Sequence, residues 1–204
     1  MEKLRIIEIS IALSLIVSVV ASIFSFGAEC NKVRNEVVRL HILANSDSEE
    51  DQEVKLKVRD ALLNSGDDLF NGKTNTENAE DIILKNESKI KNIINNVLNE
   101  NGFAYKSELY VVNEFFDSRE YDGFVMPAGQ YKALKIVLGN GQGHNWWCVM
   151  FPPLCLPAAT ENESLNLYFS EKGTDIITNG EKYIVKFKII ELYERVKEFV
   201  KQNK

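Results

Sequence analysis

Between Gly141 and Cys155 the chain reads Gly-Gln-Gly-His-Asn-Trp-Trp-Cys-Val-Met-Phe-Pro-Pro-Leu-Cys, which gathers both tryptophans and two of three cysteines of a 204-residue chain into one short stretch. Three chemistries are open to it. Cys148 and Cys155 can close a disulfide across the stiff Pro152-Pro153 pair, Cys148 can act as a nucleophile beside a base such as His144 or His41, or the thiols can ligate a metal. A Cys-x6-Cys spacing with one nearby histidine lacks a fourth ligand, so no metal and no other cofactor is expected. In an extended arm, residues four apart point to the same face, which would bring His144 towards Cys148, yet no acid follows at a telling spacing. That pair defines an alternative function, a secreted cysteine-type hydrolase acting on wall material or peptides. Trp146 and Trp147 must face opposite ways on a strand. If one indole is buried the other is exposed, and an exposed indole beside a Pro-Pro bend makes a binding anchor.

The compartment decides among these, and it is written at the N-terminus. Lys3 and Arg5 precede a run from Ile9 to Phe26 with no charged residue. The run is long for a signal-peptide core and long enough to span a bilayer, and cations ahead of it send the rest of the chain across. Residues 1–28 are therefore expected to be a signal peptide or a membrane anchor that engages the membrane during export, and residues 29–204 a single exported domain. Ser25 and Gly27 form a small-x-small cleavage site, whereas Phe26 suits a cut after Ala28 poorly; retention is the other outcome. Glu29 before Cys30 is wrong for a lipoprotein signal. Outside the cytoplasm two close cysteines read as a disulfide of about 2–3 kcal/mol that fixes the shape of the Trp-Phe-Pro surface. In a host without oxidising machinery there, both thiols are small buried hydrophobes. The net charge of -6 gives no basic footprint, so no nucleic acid is expected as a partner.

The elements that would position these groups follow from periodicity. Val38, Leu40 and Ile42 alternate with Arg39 and His41, which predicts a strand. Ser46-Asp47-Ser48-Glu49-Glu50 is a capping signature in which Ser46 or Asp47 starts a helix; Val54, Val58, Ala61 and Leu62 are its stripe and Asn64-Ser65-Gly66 its stop. A loop is expected over residues 71–75, then a helix from Thr76 with Ile83, Ile90, Ile94 and Val97 on one face, closed by Asn101-Gly102. Phe103 to Phe116 reads as a strand, Asp117 to Gly129 as turn-rich. Tyr131–Leu138 and Trp146–Phe151 read as two strands paired antiparallel through the glycine-rich loop between them. Residues 157–180 look irregular, and the C-terminal segment from Tyr183 reads as a strand turning into a helix. The class is α+β, with helices packed on a mostly antiparallel sheet. His41 is either a contact residue or a hydrogen-bonded edge of the sheet, and the acids around Asp47 suit helix capping better than a cation.

Two blocks resemble one family. Arg39-Leu40-His41-Ile42-Leu43-Ala44-Asn45-Ser46-Asp47-Ser48 with Asp51-Gln52 and Lys55-Leu56-Lys57-Val58-Arg59-Asp60 forms the first, and Pro127-Ala128-Gly129-Gln130-Tyr131 on to Gly143–Cys155 the second. Both are similar to the stage II sporulation protein R family of endospore-forming bacteria. The resemblance implies a signalling protein and not an enzyme. It would be exported across the forespore membrane into the space between the two membranes. There it would trigger a membrane-embedded aspartic protease of the mother cell, which cleaves the precursor of the early mother-cell sigma factor. On that reading the contact candidates are Trp146, Trp147, His144, Pro152 and Pro153 together with His41, Asn45 and Asp47.

Overall fold

The computed structural model describes residues 2–70, 76–121, 123–152 and 165–202. The strand expected over Val38 to Ile42 is β1, Val38–Leu43, an inner strand and not an edge of the sheet, and the helix after it is α2, Glu49–Asn64. Ser48, not Ser46 or Asp47, is the N-cap: its side chain accepts from the Asp51 N–H. The two residues before it are spent elsewhere, as described below. Val54, Val58, Leu62 and Leu63 bury one face of α2, while Ala61 sits at its margin. A short helix α3, Gly66–Phe70, follows; the loop expected over 71–75 lies outside the described residues. The single helix expected from Thr76 is two, α4 (Thr76–Lys85) and α5 (Glu87–Glu100), broken at Asn86, whose side-chain amide donates to the carbonyls of Leu69 and Ile82. Gly102, with φ +80°, ends α5 in the left-handed region that a side chain resists.

Strands β2 (Ser107–Phe116), β5 (Gly129–Leu138) and β6 (Asn145–Phe151) join β1 in one sheet of order β2-β5-β1-β6. The expected β5–β6 hairpin does not form. Those two strands do run antiparallel, but β1 is lodged between them, parallel to β5 and antiparallel to β6. The six residues from Gly139 to His144 bridge two inter-strand spacings, about 10 Å, across the end of β1. The glycine pattern that suggests a tight turn here serves a crossing instead. Between β2 and β5 the turn-rich segment holds a small antiparallel hairpin, β3 (Arg119–Tyr121) and β4 (Phe124–Met126).

One face of the sheet carries Leu40, Ile42, Ile136, Cys148 and Met150 against Val58, Leu62, Ile90 and Ile94 of α2 and α5. The opposite face carries Phe116, Tyr131, Ala133 and Val149 against Val33, Phe124, Met126, Phe169 and Ile177. Val33 belongs to α1, Glu2–Asn35, one unbroken helix whose apolar first half continues into turns that the body covers. Ile177 belongs to α6, Glu171–Thr178, a helix in the segment expected to be irregular, capped by Ser170, which accepts from the Gly173 N–H. After a 3-10 turn, Gly180–Tyr183, the chain forms α7, Ile184–Gln202, helical throughout, so no strand starts at Tyr183. Phe187, Ile190 and Glu194 recur at helical spacing and are buried, which overrides the two-residue alternation. The class is α+β with a mostly antiparallel sheet, and helices cover both faces.

Candidate functional site

Where the Gly139–His144 crossing passes over the end of β1, the two blocks of sequence meet. Gln142 N–H donates to Asn45 O at 3.2 Å, Gly143 N–H to Ala44 O at 3.0 Å, and Asn140 N–H to Asn45 Oδ1 at 2.9 Å. His144 N–H donates to Asp47 Oδ1 at 2.6 Å, and the His144 ring bonds the same oxygen through Nδ1. These bonds hold the exposed Asp47 carboxyl below the usual carboxylate range. The approach is close enough that a Cβ at Gly143 would collide with the Ser46 carbonyl, and one at Gly139 with the Asn45 side chain. Gly139 and Gly141 also have φ +55° and +62°. Gly-Asn-Gly-Gln-Gly is therefore required by contact as well as by backbone angle.

Asp51 is the keystone of this clasp. Its buried carboxylate accepts from Ser46 Oγ at 2.6 Å, Asn45 Nδ2 at 2.8 Å and Tyr105 OH at 2.8 Å, tying the corner to β2's approach. Burial alone would raise this carboxyl; the bonds from Ser46, Asn45 and Tyr105 outweigh it and hold it below its ordinary value. On the other side Lys55, buried on α2, donates to His144 O at 2.9 Å and to Gln52, and burial pulls its ammonium below the usual lysine range.

Beside the clasp, buried on the sheet face that α1 and α6 pack against, His41 is fixed at both ring nitrogens: Nδ1 to Glu114 Oε2 at 2.9 Å, Nε2 to Asn145 Oδ1 at 2.9 Å. Its ring stacks on Trp147 with centroids 3.6 Å apart and planes 18° from parallel. Lys135 Nζ reaches the other Glu114 oxygen at 3.3 Å. A carboxylate at Nδ1 puts a proton there. With Nε2 engaged, His41 is not presented to a nucleophile. Arg39, next on this face, is fully buried, with its guanidinium 4.4 Å from the Phe116 ring and 5.0 Å from that of Tyr131, and donates to Tyr121 OH at 2.7 Å.

The predicted residues thus divide. His41, Asn45, Asp47, His144 and Trp147 come together at one end of the sheet. Trp146 takes the opposite face, packed on the α2 side with the Arg59 guanidinium 4.4 Å above its ring. Both indoles are half-buried, so neither is the freely exposed anchor expected of one of them. Cys148 is buried and held in a disulfide, while His144 lies out on the surface with Asp47, so the nucleophile–base pair is not assembled. Pro152 is buried, which makes the Phe151-Pro152 step core and not surface; Pro153 and Cys155 lie outside the described residues. Sequence reading missed Glu114, Lys135, Asn145, Asp51, Lys55 and Tyr105. No local pattern marks them, because the strands and helix that bring them together are distant in sequence. Among the described residues no group of acids, histidines and cysteines could hold a metal ion.

The family model for stage II sporulation protein R matches residues 34–161, which span β1 to β6 and leave out nearly all of α1 and all of α6 and α7. Stage II sporulation protein R of Bacillus subtilis (strain 168) is 36% identical over 133 residues, covering 65% of this chain and 59% of that protein. The chain thus spans less than two thirds of that relative's length. No solved structure matches it.

Proposed function

The chain belongs to the stage II sporulation protein R family, and from that membership we propose that it is an exported signalling protein of sporulation which activates a membrane-embedded aspartic protease of the mother cell. The protease then processes the precursor of the early mother-cell sigma factor, and this chain acts from the space between the forespore and mother-cell membranes by being recognised. The observation that carries the reading is the clasp: two blocks nearly a hundred residues apart build one rigid corner. It presents Asp47, His144 and the open side of Trp147, while the groups that could do covalent chemistry, Cys148 and His41, are already engaged. Rigid, pre-formed polar and aromatic groups suit recognition, because little conformational freedom is lost on binding. We also pair Cys148 with Cys155, which would stiffen the end of β6; an intact mass unchanged by reduction would exclude it.

The test is maturation of the precursor in membranes that hold the protease, with and without the full chain. Processing should require it, and equal processing in its absence ends the proposal. Trp147→Ala should lower maturation about tenfold or more, the effect of losing an aromatic hot spot, with the far-ultraviolet circular dichroism unchanged.

A further inference from the structure

Apolar side chains left uncovered by α1 and α7 lie side by side. Ile184 and Val185, in the first turn of α7, are 59% and 72% exposed, and Phe24 of α1 is 75% exposed. Val19, Ser22 and Ile23 of α1 line a groove of about 610 Å³ together with Ile184, Val185 and Ile189. On the other side of the contact, Phe24, Gly27 and Ala28 line a second groove of about 320 Å³ with Ile189, Ile190 and Tyr193.

Depth along α1 says what covers them. The uncharged run from Ile9 to Phe26 is about 27 Å long at 1.5 Å per residue, close to the hydrocarbon thickness of a bilayer. When α1 spans a membrane over that run, Val19 to Ile23 lie in its outer leaflet, and the first turn of α7, beside them, lies at the same depth. Charged and polar groups border both grooves: Glu181, Lys182 and Lys186 line the first, and Asn31, Arg34 and Glu194 line the second. Lys182 and Lys186 border the exposed apolar residues, and Lys186 Nζ extends along the groove to donate to Ser22 Oγ at 3.0 Å, passing 5.6 Å from the Phe26 ring centre. On release from Ser22 such a lysine keeps its apolar stem in the acyl boundary and swings its ammonium outward to anionic headgroups.

We propose that the start of α7 is seated in the same membrane as α1, with lipid acyl chains filling the two grooves and anionic headgroups meeting Lys182 and Lys186. The seat requires α1 to be retained. A cut after Gly27 would remove Phe26, whose ring packs 5.3 Å from Tyr183 and 5.2 Å from Phe187, and Ser22 and Ser25, which accept from Lys186 and Lys172. The inference is independent of the signalling reading, which the maturation assay tests separately.

The experiment reconstitutes the full chain in vesicles containing phosphatidylglycerol, with a photoreactive benzoylphenylalanine replacing Val185 or, as control, the exposed Tyr110 of β2. Mass spectrometry after illumination should find lipid adducts at position 185 and none at 110. Crosslinks from 185 to a second copy or to another protein, the absence of lipid adducts, or equal adducts at 110 would overturn the proposal. So would recovery from producing cells of a chain that starts after Gly27.

Discussion

Asp51 draws three side-chain donors onto one buried carboxylate, so its replacement is the sharpest probe of the clasp. Asp51→Asn should cost about 1.5–3 kcal/mol, the worth of hydrogen bonds to a charged group, read by chemical denaturation of the full chain in micelles. The sign of its pH dependence follows from a depressed folded-state pKa. The unfolded chain binds the proton more readily, so the contribution is complete above the ordinary aspartate value of about 4 and is lost as pH falls through the folded one. Acid should therefore weaken the wild type more than Asp51→Asn. Gly143→Ala should destabilise by about 1–3 kcal/mol through overpacking, since backbone, not a movable side chain, stands in the way. Some of this was legible beforehand. Period two alone put Trp146 and Trp147 on opposite faces, and capping chemistry marked the Ser46–Glu50 corner, though with Ser48 and not Ser46 or Asp47 as the cap. The His41 network was not, because Glu114 and Asn145 come from different strands and neither carries a local signal.

Arg34 and Glu194 hold two elements together. Arg34, in the last turn of α1, donates to Glu194 of α7 at 3.1 Å and to Ala128 O at 2.6 Å, and both side chains are buried. Arg34→Ala should cost about 3–5 kcal/mol, because it leaves the buried Glu194 carboxylate only the exposed Lys197 at 3.2 Å; Gly129, φ +143°, lies so close that a Cβ would press on this guanidinium at 2.9 Å. A thermal melt comparing Arg34→Ala with the double variant Arg34→Ala/Glu194→Ala should show the double to be the more stable. Elements with strong local periodicity, β1, α2, β2 and β5, were readable from sequence. The C-terminal segment was readable only in its second half, where Leu192, Val196 and Phe199 are helical as expected; Tyr183, Val185, Phe187 and Ile189 alternate like a strand, yet Phe187 and Ile190 pack on Phe26 from a helix. Pairing failed for a related reason. The partner that separates β5 from β6 comes from about a hundred residues earlier, where no turn rule can see it.

Across the molecule, the helix that the first residues form is also part of the core, so that helix and the body are one structure. Phe26→Ala should cost about 3–5 kcal/mol, the usual loss for a buried aromatic, whereas Leu15→Ala, exposed on the same helix, should leave the melting temperature of the body unchanged. The middle position of β1 has one further effect. Val38 lies opposite Lys132 on one side and Phe151 on the other, so neither edge of this strand finds its neighbour until most of the polypeptide has emerged. Closure of the sheet is therefore a late step, governed by contacts far apart in the chain.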